Sequence, residues 1–290
     1  MGERYKHSGK FTIPGLASGL VAGIVTAIPV GFLYVFGIWS IPDARLRGVC
    51  TLAFGAIVGA SCGWALCLVK VRNSIMSGTI AAISSLFALY ISWVIWVLHL
   101  MFPSYWILNP IRLALQPRVL WKIIVSVNAE GTWAFKGSTP TTGTGLWVVW
   151  LGEAGLLIGF AVMAAVAMTK RQPFCERCED WCAGRSKLYF APSVSPSEIK
   201  AHVEAADVSW IAELQRGHKE QAHFRLDLDT CETCNSLTTL SLVQGFPRDR
   251  KTLVDKLMLS ADQSAAIRNL CVAHEAQARS PIATASPSIP

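Results

Sequence analysis

Hydrophobic and polar positions follow two different rhythms along this chain. Up to residue 169 the apolar residues come in long unbroken runs. Four of these, at residues 15–39, 49–69, 75–101 and 146–168, are predicted to be helices. A bilayer core takes roughly 20 apolar helical residues to cross, and each run meets that length. The one Asp, Glu, Lys or Arg inside any run is Glu153. Beyond residue 170 the runs are short and alternate. Residues 222–229 set His223, Arg225, Asp227 and Asp229 against Phe224, Leu226 and Leu228, the period of a strand, and residues 237–243 read as a second strand.

Helix signals fill the space around these strands. Ser195-Pro196-Ser197-Glu198 is a capping box with proline at the first helical position. It predicts a helix, a break near Asp207 and a second helix ending at Gly217. Residues 250–258 are read as a helix. Ser260-Ala261-Asp262-Gln263 is a second box that opens a helix through about Ala276, with Ile267, Leu270 and Cys271 inward. Residues 279–290 are rich in Pro, Ser and Ala and are expected to be a disordered tail.

The first two apolar runs share a finer pattern. Gly15, Gly19, Gly23, Ala27 and Gly31 recur every four residues, as do Gly55, Gly59, Gly63 and Cys67. This spacing keeps small residues on one helix face, where backbones approach closely. With only residues 40–48 between the runs, an antiparallel glycine-striped hairpin is expected. The stripes serve packing within the chain or, as the competing reading, a homo-oligomer or a pore wall. Pro29 is expected to kink the first run. In the long loop 102–145, Pro117 opens a predicted helix with Leu120, Ile123, Ile124 and Val127 on one face. It lies either on the membrane surface or against the spans. Residues 128–145, rich in Gly, Thr and Ser, read as an exposed loop.

Charge sharpens the division. Of the 45 charged residues, 15 fall in residues 1–169 and 30 in residues 170–290. The apolar part carries 11 Lys/Arg against 4 Asp/Glu, and the remainder 15 against 15. The net charge of +7 therefore sits beside the membrane, and no nucleic-acid partner is expected. Arg4, Lys6, Lys10, Lys70, Arg72, Lys170 and Arg171 flank one side of the spans, against Arg45, Arg47, Arg112, Arg118, Lys122 and Lys136 on the other, the last four diluted in the long loop 102–145. Trp39, Trp93, Trp96, Trp106, Trp121, Trp133, Trp147 and Trp150 fall toward the other. A basic inner flank and an interfacial tryptophan belt place both termini in the cytosol, in a plasma or bacterial inner membrane. The first run is too long for a signal peptide and is read as an uncleaved span.

Chemistry concentrates in the cysteines. Cys50, Cys62 and Cys67 lie in or at the second run and read as small packing residues. Cys175-Glu-Arg-Cys178 and Cys231-Glu-Thr-Cys234 are two CxxC pairs. Two such knuckles supply four thiolates to one tetrahedral ion, so Cys175, Cys178, Cys231 and Cys234 are the predicted ligands of a structural zinc. The second pair falls between the two predicted strands. Over the two knuckles and this hairpin the chain resembles a zinc ribbon. It departs from one in the 52 residues between Cys178 and Cys231, where a compact site has roughly 15–20. A redox dithiol or an iron–sulfur cluster that also uses Cys182 are the competing readings. Cys182 and Cys271 are otherwise packing residues. His202, His218 and His223 are weaker ligand candidates.

Glu153 is the second candidate site. Acids inside a membrane are expensive and usually face a partner or water. It lies near Trp147 and Trp150 and would reach headgroups, pair with Lys122 or Lys136, or handle an ion. No phosphate-binding loop, nucleophile elbow or HExxH motif occurs. The expected fold is a four-helix membrane domain, residues 15–169, behind a short N-terminal segment, 1–14. A small α+β cytosolic zinc-binding domain follows at 170–278. The expected function is a multi-pass membrane protein, not an enzyme, that presents this domain to a protein partner for interaction, sensing or assembly. A small transporter or channel using Glu153, and a membrane-tethered CxxC thiol oxidoreductase, are the alternatives.

Overall fold

A computed structural model describes residues 3–41, 43–101, 110–132, 141–217, 221–245 and 250–279. Trp106, Trp133, Lys136, His218 and the tail 280–290 lie outside these. The chain divides into two units. One is Ser8–Arg171, and the other comprises the described residues of Met1–His7 and Gln172–Pro290.

The first unit is helical. α1 (Ile13–Ser40), α2 (Ala44–Leu68), α3 (Ser74–Leu100) and α6 (Gly143–Lys170) are the long helices, and each is long and apolar enough to cross a membrane. Polar caps set the starts of α1, α2 and α3. Thr12 accepts from Gly15 N–H, Asp43 from Arg45 and Leu46 N–H, and Asn73 from Ile75 and Met76 N–H. Pro29 lies within α1 without ending it.

Both glycine stripes are buried against other helices of the same chain, but not in the simple hairpin expected. The α1 stripe meets Leu66 at Gly19, both Cys62 and Ser84 at Gly23, and Ile95 and Phe54 at Gly31, so it packs between α2 and α3. The α2 stripe does not face α1. A Cβ at Gly55 or Gly59 would land on the Leu157 or Ala161 carbonyl, and one at Gly63 would meet Met168 Cβ at 2.8 Å, so this stripe receives the backbone of α6. Four-residue spacing specifies a smooth face but not which helix fills it.

Two short helices join α3 to α6. These are α4 (Pro110–Ala114) and α5 (Pro117–Glu130), the second with Pro117 in its first turn as predicted. Leu120, Ile124 and Val127 of α5 are buried with Val94, Val97, Leu146 and Trp150. Between the two expected placements, the helix lies against the spans. α5 also runs three residues further than expected, and the stretch read as loop from 128 begins with a buried Asn128. Its amide donates to the Gly143 carbonyl at 3.1 Å and ties α5 to the start of α6.

The second unit is α+β. β3 (Gly184–Phe190), β4 (His223–Thr230), β5 (Thr238–Gly245) and β6 (Arg250–Met258) form an antiparallel sheet in that order, and a two-stranded hairpin pairs β1 (Phe174–Cys175) with β2 (Asp180–Trp181). One sheet face carries Leu188, Phe190, Phe224, Leu226, Leu228, Leu240 and Leu242. Ile199 and Val203 of α7 (Pro196–Glu204), Ile211 of α8 (Val208–Glu213), and Ile267 and Cys271 of α9 (Ala261–Arg279) cover it. The alternation read at residues 222–229 is this face and its polar reverse. Both predicted caps form, the second as a full reciprocal box. Ser195 Oγ accepts from Glu198 N–H, and Ser260 and Gln263 bond reciprocally. The break between α7 and α8 falls at Ala206, in the left-handed region at φ 52°, and Asp207 caps α8. α8 ends at Glu213, four residues short of the expected Gly217.

Residues 250–258 are a strand, not the expected helix. Leu240 of β5 faces Leu257 and Leu242 faces Val254, so two steps on β5 match three on β6. This is a β-bulge, with Lys256 at φ 46°. The extra residue sets the buried Val254 and Leu257 three apart, which imitates a helical period in the sequence.

Residues 3–5 of the N-terminal segment run antiparallel to β6. Tyr5 N–H donates to the Lys256 carbonyl and Met258 N–H to the Glu3 carbonyl, each at 2.8 Å.

Candidate functional site

The cysteine pairs sit on matching turns. Cys175 ends β1 and Cys178 lies in the tight turn to β2, where Phe174 faces Trp181 and Cys175 faces Asp180. Cys231 follows β4 and Cys234 lies in the turn to β5. There Cys231 N–H donates to the Leu237 carbonyl at 3.0 Å and Asn235 N–H to the Cys231 carbonyl at 2.9 Å. In each turn the residue after the second cysteine is in the left-handed region, Glu179 at φ 49° and Asn235 at φ 53°. That conformation is uncommon for a non-glycine residue. Its repetition at the same step of both turns makes them two copies of one knuckle.

The sulfurs of Cys175, Cys178, Cys231 and Cys234 all lie within 4.8 Å of one another. Cys234 Sγ is 3.6 Å from both Cys175 Sγ and Cys231 Sγ. A disulfide needs about 2.05 Å. Four sulfurs held about 2.3 Å from a central zinc stand about 3.8 Å apart at tetrahedral corners. The observed spacing fits the second arrangement. The first cysteine of each pair is buried and the second half-buried, so the cluster is anchored inward and reachable from one side. Ser236 Oγ lies 2.8 Å from Cys234 Sγ. Ser236 first, and the Cys178 thiol after it, hold the Cys234 thiol down at about 6, while donating to Cys234 holds Cys178 up at about 12. The donor set thus favours a thiolate, the form that binds metal.

The remaining ligand candidates do other things. Cys182 is fully buried beside the cluster, and burial pushes its thiol up to about 12. Cys271 lies in the main core of the sheet. His202 stacks on Trp210 with ring centroids 3.9 Å apart and bonds Asp207 at 3.1 Å. His223 packs against Tyr189 and bonds the Gln221 carbonyl. One participant escaped the sequence reading. The Tyr5 hydroxyl accepts from Phe174 N–H at 2.9 Å and donates to the Phe174 carbonyl at 3.1 Å, which braces the strand next to Cys175. No sequence signal links a residue at position 5 to one at 174.

Glu153 faces a cavity of about 290 Å³ among α1, α2, α3 and α6. Trp39, Trp93, Trp96 and Trp150 wall it, together with Tyr34 and Arg47. Lys122, a partner considered from sequence, is exposed on α5 and does not line it. Among the described residues lining it, the basic one is Arg47. The sequence reading placed Arg47 in the 40–48 loop, but α2 starts at Ala44 and carries it into the wall. Asp43, the cap of α2, was the readable signal for that earlier start.

No family model, curated protein or solved structure matches this chain.

Proposed function

We propose that this chain is an integral membrane protein whose non-membrane unit is a zinc-stabilised module for protein interaction or assembly. The observation that carries the reading is the cluster of four cysteine sulfurs within 4.8 Å on twin knuckles. A structural zinc bound there closes a tetrahedral site and contributes folding energy to a small sheet domain. It would tie the β1–β2 hairpin to the β4–β5 turn, which are far apart in sequence. A redox role is less favoured. The CxxC pairs sit in strand turns, not at the start of a helix in a strand–helix–strand unit, and two pairs exceed what thiol exchange needs.

The N-terminal segment supports the topology. The pairing of residues 3–5 with β6 supports a reading in which the segment before α1 and the domain after α6 share one side of the membrane, as four crossings would give. The basic flank supports the cytosol as that side.

The test uses the full-length chain purified in detergent. One zinc per chain is expected by elemental analysis, with Cys231→Ser and Cys178→Ser both losing it. A partner cross-linked to the wild type in native membranes should be lost on both substitutions. Wild-type protein without stoichiometric metal overturns the site, and a partner retained by both variants overturns the interaction role.

A further inference from the structure

The cavity around Glu153 has a chemistry of its own. Its walls come from four helices of one unit and from Thr132 after α5, and among the described residues they carry one carboxylate, Glu153, and one guanidinium, Arg47. The aromatic side is continuous. Trp93 meets Trp150 with ring centroids 4.8 Å apart and Trp96 at 5.6 Å, and Trp96 meets Trp39 at 6.3 Å, all nearly edge-to-face. Edge-to-face packing turns ring faces of a cluster in different directions, as a cage needs. Arg47 is anchored by its Nε, which donates to the Ile41 carbonyl at 2.7 Å.

Each component selects a group. Tryptophan faces attract organic ammonium ions, and a carboxylate beside them adds a full opposing charge. A guanidinium suits the oxygens of a phosphate or carboxylate, which it grips as a fork. A ligand with a cation alone would leave the occupied, half-enclosed cavity with net positive charge, and an anion alone would leave it negative. Either is costly to desolvate. A zwitterion adds no net charge and answers both side chains. The size agrees, because about 290 Å³ is at the small end of ligand pockets and suits a headgroup more than an extended molecule.

We infer that this cavity is a binding site for a small zwitterion carrying an alkylammonium group and a phosphate a few bonds apart. Phospholipid headgroups and soluble choline phosphodiesters share that chemistry. The site stands independently of whether the cysteine cluster takes zinc.

The test is isothermal titration of the full-length chain in maltoside micelles. The probes are glycerophosphocholine, monomeric dihexanoyl-phosphatidylcholine, tetramethylammonium chloride and inorganic phosphate. Saturable binding of at least one choline-phosphate probe is expected, with the single ions much weaker. A tighter lipid probe assigns the source to the bilayer, and equal or tighter binding of the headgroup alone assigns it to solution. Glu153→Gln and Arg47→Gln should each weaken binding about tenfold or more, the loss of a charge-assisted hydrogen bond. Circular dichroism checks that both variants fold. If they do not, the wild-type titration still decides. No saturable binding of either zwitterion to folded wild type overturns the proposal. So does tetramethylammonium or phosphate binding as tightly, or retention of full affinity by both folded variants.

Discussion

A single methyl group tests how α2 meets α6. In Gly59→Ala the new Cβ falls on the Ala161 carbonyl oxygen, which is backbone and cannot rotate aside. Restoring ordinary contact requires the helices to part by about 1 Å or more. Gly55 and Gly63 lie one turn away on either side, so the close approach runs over about 12 Å of helix and parting at Gly59 loosens it throughout. Overpacking of this kind costs about 1–3 kcal/mol. Replacing glycine by alanine inside a helix returns about 1 kcal/mol. The expected net loss for Gly59→Ala is therefore up to about 2 kcal/mol. The matched control is Gly152→Ala on α6, where an added Cβ has nothing within 4 Å. There only the propensity gain remains, so the variant should be about 1 kcal/mol more stable than wild type. Unfolding by sodium dodecyl sulfate in mixed micelles, followed by far-ultraviolet circular dichroism, measures both. If Gly59→Ala proves as stable as Gly152→Ala, the backbone contact between α2 and α6 does not exist. The metal content of the cysteine cluster should not change in either variant.

Other substitutions probe the second unit. Phe224→Ala empties a fully buried position between sheet and helices and should destabilise the unit by about 3–5 kcal/mol, read by chemical denaturation of the full-length chain. Asp229 is buried and accepts from Arg185 Nε at 2.6 Å, and Arg185 is held above its ordinary value chiefly by that bond. Asp229→Ala should cost about 2 kcal/mol, and an unchanged denaturation midpoint would show that the pair contributes nothing. Bonds from Ser209, Trp210 N–H and His202 hold the Asp207 carboxyl below its ordinary value. A lowered folded value contributes stability above the unfolded value, which is lost as pH falls through the folded one. Asp207→Asn should flatten the acid limb of the stability profile below about pH 4, and an unaltered limb would refute the contribution. Tyr5→Phe removes the hydroxyl that braces Phe174 and should make zinc easier to extract by a chelator at unchanged stoichiometry; an identical extraction rate would remove Tyr5 from the site.

Much of this protein is readable locally. The four apolar runs became the four long helices because lipid-length apolar helices announce themselves through composition alone. The caps at Ser195 and Ser260 formed because a cap is a bond between residues three apart. The strands β4 and β5 and the knuckle between them followed from alternation and spacing. The errors came where a local pattern had two readings. The bulge in β6 placed Val254 and Leu257 at a helical interval, and only pairing with Leu242 and Leu240 reveals the extra residue. The early start of α2 hid Arg47 from the cavity it lines.

The sequence by itself determined what kinds of surface each element presents: smooth glycine faces, an apolar strand face, paired thiols and one acid in an apolar helix. Tertiary structure alone decided which surfaces meet. It set the α2 stripe against α6, drew Cys175 and Cys178 to Cys231 and Cys234 across 52 intervening residues, brought Tyr5 to Phe174, and put Arg47 and Glu153 in one tryptophan-walled cavity. Periodicity and spacing report only the contacts a residue makes within a few positions of itself. Partners dozens of residues apart are chosen by the packing of whole helices and sheets.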